Sequence, residues 1–204
     1  MFINRIIRTP LFLATMVVLL FTGQARAEGE QQAIEKLNAV LLETMQQGQK
    51  LGFSGRLEKL AQPLSDLFDF QTMTRISLQR HWKGIGDADR AAIVRAFARM
   101  SIATFASRFD NHSGERFVVE GTKPGPRSLM LVSTLVERPG RENVNLTYVL
   151  RDTDTGPQVI DVLAQGKFSE LARQRAEMSS VFSKSGTAGL IKALDAKASE
   201  LAGK

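Results

Sequence analysis

The chain of 204 residues contains no cysteine. This absence excludes a disulfide framework, a thiol nucleophile and a cysteine-ligated metal site. It also excludes the acylated bacterial lipoproteins, which are attached to the membrane through a cysteine at their cleavage point. Tryptophan and tyrosine occur once each, against 12 phenylalanines and seven methionines. The apolar capacity of the protein therefore lies in phenylalanine, methionine and aliphatic side chains.

Histidine is scarce as well, because His81 and His112 are the only two. They stand alone, without the spacing that places two ligands on one helix face, so we expect no metal site. His81 falls in a predicted helix and His112 at a predicted helix end, where a cationic side chain is favoured for stability alone. We therefore predict no catalytic residues, no cofactor and a protein that is not an enzyme.

One acidic residue interrupts an apolar strand pattern. Asp161 lies inside the run Val159-Ile160-Asp161-Val162-Leu163. A buried carboxylate needs a cation or several hydrogen-bond donors, and Arg173 or Arg175 could supply the cation. We favour a structural ion pair at this position. The alternative is a catalytic acid that works with a histidine in an α+β pocket.

The first 27 residues have the pattern of a cleaved secretory signal. Arg5 and Arg8 precede an apolar run over residues 11–21, and Ala25-Arg26-Ala27 places small residues at a cleavage site. The run has about half of the roughly 20 apolar residues that a membrane-spanning helix needs. We predict cleavage after residue 27 and export to the periplasm, with an uncleaved membrane anchor as the alternative.

Charge argues against a nucleic-acid partner. Three of the 27 basic residues and none of the 21 acidic ones lie in the predicted signal, which leaves 24 against 21 and a net charge of +3 on residues 28–204. The remaining chain has no dense run of lysine or arginine. A charge this small permits only weak, transient attraction to anionic membrane headgroups.

The periodicity of apolar residues predicts an α+β fold. Helical spacing covers residues 30–49, 55–67 and 87–111, with short helices over 68–82 and two further helices that begin after Ser169 and at Thr187. Between these groups the pattern alternates, and strands are predicted at 117–120, 128–137, 143–151 and 158–164. Short turns rich in proline and glycine make these strands consecutive antiparallel hairpins. We predict one domain over residues 28–204, with helices packed on a sheet of about four strands.

Several short motifs, taken in order, resemble the MlaC-like family, formerly called toluene-tolerance auxiliary proteins. These motifs are Phe68-Asp69-Phe70-Gln71-Thr72-Met73 with Trp82-Lys83 further on, then Tyr148-Val149-Leu150, and then Val159-Ile160-Asp161-Val162 followed by Gly166. The segment over residues 166–175, GKFSELARQR, is most similar to the hopanoid-associated branch called HpnM. The resemblance extends over essentially all of residues 28–204.

This resemblance implies a periplasmic lipid carrier. Members of the family have an NTF2-like or MlaC-like arrangement, in which helices and a curved antiparallel sheet enclose a deep apolar pocket for lipid tails. The implied ligand is a phospholipid or a hopanoid. The implied partners are an inner-membrane transporter, either an ABC system with MCE domains or a hopanoid transporter, and an outer-membrane lipoprotein complex.

The expected pocket lies between the inner face of the sheet and the helices. The predicted lining is Phe70, Met73, Phe97, Met100, Phe105, Leu131, Leu146, Tyr148, Val162 and Met178. For each of these residues, ordinary core packing competes with ligand contact. An envelope scaffold that binds protein partners through its terminal helices is the remaining alternative to a lipid carrier.

Overall fold

The structure, a computed structural model, describes residues 15–203, with side chains from residue 27 onward. Most of the predicted signal segment lies outside this description, and its cleavage stays a prediction. Five helices and five strands follow one another in the order α1–α4, β1–β5 and α5. No helix in the described part of the chain is both long and apolar enough to cross a membrane.

Four helices precede the sheet. They are α1 (Thr15–Gln46), α2 (Gly48–Leu67), α3 (Phe70–Trp82) and α4 (Asp87–Arg108). Gly52 adopts a left-handed φ of 60° and kinks α2 there, a conformation that favours glycine because it has no Cβ. The predicted short helices over 68–82 form the single helix α3, which is interrupted near its end at Gln79. α4 begins at Asp87, the predicted start of this helix, with Gly86 as its N-cap, and it ends at Arg108, three residues before the predicted end.

The strands form one antiparallel sheet in sequence order. They are β1 (Arg116–Pro124), β2 (Met130–Glu137), β3 (Val144–Arg151), β4 (Gln158–Ala164) and the two-residue β5 (Phe168–Ser169). The α+β prediction is confirmed, and β5 is the one strand that it did not include. Consecutive hairpins give this simple order because each connection is a short turn.

One face of the sheet packs on the helices. Tyr148 lies between Val132 and Val162 in the register, and all three belong to this inner face. Val132 and Tyr148 are buried together with Ile34 and Leu41 of α1 and Ile93 of α4. This alternation follows from the two-residue period of a strand.

The last helix, α5 (Glu170–Ala202), closes the structure. It contains both predicted terminal helices, which meet at Gly186 with a left-handed φ of 61°. Ser169 caps α5, as predicted, because its hydroxyl accepts a hydrogen bond from the amide of Ala172 at 2.8 Å. α5 packs mainly on α4 and α3, and its start also contacts β4.

Candidate functional site: an apolar cavity with a charged mouth

A cavity of about 440 Å³ lies between the inner face of the sheet and the helices. This volume falls in the range of roughly 300–1,000 Å³ that is typical of small-molecule pockets. Its deeper walls are almost entirely apolar. They are formed by Met45, Phe68, Phe70, Met73, Phe97, Phe105, Phe109, Val136, Val144, Leu146, Tyr148, Val162, Ala164 and Leu171, and α4 adds the hydroxyl-bearing Ser101 and Thr104.

Phenylalanine rings form a continuous chain along the helical wall. Ring centroids are 6.1 Å apart for Phe97 and Phe70, 5.8 Å for Phe70 and Phe68, and 5.5 Å for Phe68 and Phe105. Phe109 continues the chain at 5.7 Å from Phe105. Contacts between aromatic rings at these distances add about 0.5–1.5 kcal/mol each beyond simple burial. The wall is thus one connected aromatic surface.

The start of α3 is anchored so that two of these rings face the cavity. The carboxylate of Asp69 accepts a hydrogen bond from the amide of Thr72 at 2.8 Å and so caps the helix. The amide of Asp69 in turn donates to the carbonyl of Val159 in β4 at 3.0 Å. Because both neighbours of Asp69 are phenylalanines, this attachment holds Phe68 and Phe70 against the sheet.

Tyr148 contributes a deeply buried hydroxyl group to these walls. The residue is 1% exposed, and its hydroxyl has no hydrogen-bond partner among the groups that the structure describes. Burial raises the pKa of Tyr148 far above its ordinary value, because the charged phenolate would lose its hydration. An unpaired buried hydroxyl costs about 1–3 kcal/mol.

The opening of the cavity differs in character from its interior. Its lining there is charged or polar and consists of Arg108, Asp110, Asn111, Glu115, Arg138, Arg141, Glu170, Arg173 and Gln174. Glu115 is 7% exposed and accepts the amide of Ser113 at 2.5 Å, which lowers the pKa of its carboxyl group. The charges of His112 and Arg141 lower this pKa further. Apolar walls behind a charged mouth suit an amphipathic ligand.

The mouth is held on the helical side by Arg56 of α2. Its guanidinium donates to the carbonyls of Ala106, at the end of α4, and of Gly48, both at 2.8 Å. A Cβ added at Gly48 would lie 1.9 Å from the carbonyl oxygen of Asp110. Glycine is therefore required where α2 passes the mouth.

Asp161 has structural contacts, as its sequence context favoured, but hydrogen-bond donors rather than a cation satisfy its carboxylate. Its carboxylate accepts the amides of Val162 at 2.8 Å and Leu171 at 2.9 Å, and the hydroxyl of Ser169 at 2.5 Å. The predicted ion pair with Arg173 or Arg175 is wrong, because Arg173 instead pairs with carboxylates of its own helix. Donors at the start of α5 satisfy the charge of Asp161, since helix N-termini present free amides.

Seven of the ten predicted lining residues border the cavity: Phe70, Met73, Phe97, Phe105, Leu146, Tyr148 and Val162. Three predicted positions do not border it. Met100 and Met178 are 4% and 2% exposed and pack inside the core. Leu131 alternates with the inward-facing Val132 and so lies on the outer face of the sheet. Contact of the seven with a ligand stays a prediction.

The sequence interpretation missed the mouth and part of the aromatic wall. Phe68 and Phe109 were visible as members of apolar helix patterns, although nothing in those patterns distinguished the wall of a cavity from packed core. The arginines gave no sequence signal, because Arg108 at the end of α4, the turn that contains residues 138 and 141, and Arg173 of α5 meet only in the folded chain.

Neither histidine lies in a catalytic arrangement. His81 contacts the hydroxyl of Ser183 at 3.2 Å and the ring of Phe182 at 4.9 Å between centroids. His112 lies 3.2 Å from the carbonyl oxygen of Glu115. Within residues 15–203, no group of three or more histidine, aspartate or glutamate side chains could hold a metal ion.

Helices on an antiparallel sheet around a cavity of this kind define an α+β protein with an apolar binding pocket. Residues 32–196 match the family described as MlaC protein, and the chain belongs to that family. Comparison with curated proteins finds no match.

A solved structure shares the fold. It is a phospholipid-binding protein from Ralstonia solanacearum in complex with a phospholipid, and the TM-score is 0.70. The match covers 84% of this chain and 98% of that one, at 23% sequence identity.

Proposed function

We propose that this protein is a lipid carrier of the periplasm. Its cavity holds either the acyl tails of a phospholipid or the apolar ring system of a hopanoid. The observation that carries the proposal is the 440 Å³ apolar cavity with a charged mouth. The apolar part of the lipid would lie along the phenylalanine wall and the inner face of the sheet. A headgroup would remain at the mouth, among the arginine side chains.

Moving lipid through water is energetically costly without such a cavity. Exposing one methylene group to water costs about 0.8 kcal/mol, so a chain of some sixteen carbons costs on the order of 12 kcal/mol. A carrier must therefore cover nearly the whole tail. It needs shape and apolar surface rather than a reactive group.

Two comparisons support lipid as the ligand class. The chain belongs to the MlaC family over residues 32–196. The Ralstonia solanacearum protein with the same fold is phospholipid-binding and was solved with a phospholipid bound. The GKFSELARQR segment over residues 166–175 supports a place in the hopanoid-associated HpnM branch, and hence a hopanoid as the more specific ligand.

Location and partners complete the proposal. The signal pattern over residues 1–27 supports export, and the absence of cysteine argues against lipoprotein anchoring. A carrier in that compartment would receive lipid from, or deliver it to, an inner-membrane transporter with MCE domains or a hopanoid transporter. An outer-membrane lipoprotein complex would be its other partner.

A non-enzymatic role agrees with the side chains present. Asp161, the strongest candidate for a catalytic acid, already accepts three hydrogen bonds that fix the start of α5. No observation favours the scaffold alternative over lipid binding, because a scaffold has no use for an internal cavity.

The test is direct analysis of the bound molecule. The protein is recovered from the periplasmic fraction of its cells, extracted with organic solvent and examined by mass spectrometry. We expect about one phospholipid or hopanoid per chain, and uptake of labelled lipid from vesicles by the extracted protein. An extract without lipid, together with no uptake from vesicles, would contradict the proposal. Recovery with the cytoplasm would contradict the periplasmic part alone.

A further inference from the structure

Three arginines at the mouth belong to no ion pair among the described residues, although the charge of Arg141 lowers the pKa of Glu115. Arg108 ends α4, while Arg138 and Arg141 lie in the turn between β2 and β3. Within residues 15–203, none of the three forms an ion pair, and Arg138 instead donates to the backbone carbonyl of Glu142 at 2.8 Å. Arg173 differs, because Glu170 and Glu177 neutralise it at 2.8 and 2.7 Å.

Carboxylates at the mouth do not cancel this positive charge. Glu170 is already paired with Arg173, and Glu115 is buried with the amide of Ser113 on its carboxylate. Asp110 is the remaining acid of the lining. The lining therefore has four arginines against the three carboxylates of Asp110, Glu115 and Glu170, a formal net charge of +1. The mouth presents net positive charge to whatever approaches it.

An exposed aromatic side chain lies at the edge of the same cavity. Phe168 is 70% exposed and pairs in the sheet with Ala164, which lines the cavity. The chain then continues through Ser169 to Glu170 and Leu171, which line it too. Among the residues whose side chains are described, Val118, at 42%, is the only other exposed large hydrophobic residue. Lys167 precedes Phe168 and is exposed as well.

We propose that the mouth is a membrane-docking surface, where Phe168 enters the interface of an anionic bilayer while Arg108, Arg138 and Arg141 contact lipid phosphates. Positive charge complements the negative surface of such a bilayer, and an exposed apolar ring such as that of Phe168 is stabilised when it leaves water for the boundary between headgroups and acyl chains. In this orientation the cavity opens toward the membrane, so a lipid tail could pass between them without crossing water. The purpose of docking rests on the proposed carrier function, although docking itself can be measured without a cargo.

The experiment measures flotation of the purified protein with vesicles. One set contains phosphatidylcholine alone and the other contains phosphatidylcholine and phosphatidylglycerol in a ratio of about seven to three. We expect binding to the anionic vesicles only, and its loss in high salt, because salt screens the attraction between exposed charges. Equal binding to both compositions, or binding to neither, would overturn the inference.

Two variants, each with a matched control, test whether Phe168 and the arginines form the docking surface. Phe168→Ser should weaken binding about tenfold, because the variant has no aromatic ring to transfer from water into the bilayer interface. Val118→Ser, the control on the outer face of the sheet, should change it less than twofold. The double variant Arg138→Gln with Arg141→Gln should weaken binding about 25-fold, at about fivefold for each arginine near the membrane surface.

The control for the arginine variant removes two positive charges from a part of the surface away from the mouth. Arg75 of α3 and Arg95 of α4 are exposed, and Arg95 lies about 20 Å along α4 from Arg108 at 1.5 Å per residue. The double variant Arg75→Gln with Arg95→Gln should leave binding within threefold of the parent. If it weakens binding as much as the mouth variant, attraction follows net charge and the docking surface is wrong.

Measuring the extractable lipid of the same variants distinguishes a failure of membrane docking from a failure of the proposed carrier function. Phe168→Ser should bind anionic vesicles poorly yet retain its extractable lipid, because Phe168 does not line the cavity. A protein that carries lipid but never binds vesicles would overturn membrane docking and leave the carrier proposal intact; an acidic protein surface would then be the partner to seek at the mouth. A protein that binds vesicles through Phe168 but contains no lipid would retain the docking inference and contradict the carrier.

Discussion

The carboxylate of Asp69 lies 2.7 Å from the guanidinium of Arg151, measured between Oδ2 and Nη2. The two side chains are unequally exposed, at 8% for Asp69 and 41% for Arg151. This pair joins the start of α3, where Asp69 stands between Phe68 and Phe70 of the cavity wall, to the end of β3. The interaction therefore ties the aromatic wall to the sheet.

Asp69 should stabilise the protein through two separable interactions, the cap of α3 and the charge pair with Arg151. Asp69→Ala loses the helix cap and the charge partner of Arg151, and we expect the free energy of unfolding to fall by about 2 kcal/mol. Asp69→Asn keeps an oxygen for the amide of Thr72, so its loss should be about 1 kcal/mol. Urea unfolding measures both values. Asp66→Ala, an exposed position on α2, is the control and should change stability by less than about 0.5 kcal/mol.

Asp161 should prove structural when its charge is removed. Asp161→Asn replaces a carboxylate that accepts three hydrogen bonds with an amide, whose nitrogen cannot accept from the donors at α5. We expect a loss of about 1–3 kcal/mol in the free energy of unfolding. Asp154→Asn in the exposed turn between β3 and β4 should change stability by less than about 0.5 kcal/mol. An unchanged stability for Asp161→Asn would return this residue to the list of catalytic candidates.

Three of the four predicted strands agree with the structure to within two residues at each end because local chemistry defines them, whereas β1 continues to Pro124, four residues beyond its predicted end. β4 follows the predicted bounds of residues 158–164, since a Gly-Pro turn precedes it and residues 165–167 form the next turn. The faces were harder to assign. The strand from Met130 to Val136 has apolar residues on both faces. Because a strand has a period of two, choosing the wrong inner face misplaces every residue of the strand. Leu131 was assigned to the wrong face for this reason.

Cavity walls are harder to predict than helices. The apolar stripe of α4 contains both Phe97, which borders the cavity, and Met100, which packs in the core. Periodicity identifies the buried side of a helix, whereas a cavity depends on where neighbouring elements fail to meet. The same limit applies to Asp161, since its donors on α5 come from a helix start that only the folded chain brings to β4.

Filling the cavity should abolish lipid retention without unfolding the protein. Ala164 lines the cavity from β4, whereas its neighbour Leu163 lies on the other face of the same strand. We expect Ala164→Trp to lose most of its extractable lipid, and Leu163→Trp to retain it. The measurement is lipid per chain by mass spectrometry, with thermal unfolding as the check on folding. Equal lipid content in the two variants would place the ligand elsewhere.

Tyr148 offers a pH test, because it is the only tyrosine of the chain and its absorbance as tyrosinate reports on a single site. Burial raises its pKa in the folded state, while the unfolded chain titrates near its ordinary value of about 10. Below pH 10 both states keep the proton and stability is unaffected. Above pH 10 the unfolded state releases it first, so the free energy of unfolding should fall as pH rises.

We therefore expect the folded protein to show no tyrosinate absorbance at pH 10–11, where urea-unfolded protein titrates. Tyr148→Phe should remove this alkaline loss of stability. In lipid-free protein it should also raise the free energy of unfolding by about 1 kcal/mol, because the buried hydroxyl has no partner. If Tyr148→Phe instead destabilises the lipid-loaded protein, the ligand itself accepts the hydrogen bond, and the hydroxyl contributes to the choice of lipid. Tyrosinate formation near pH 10 in the folded protein would contradict the burial on which this reasoning depends.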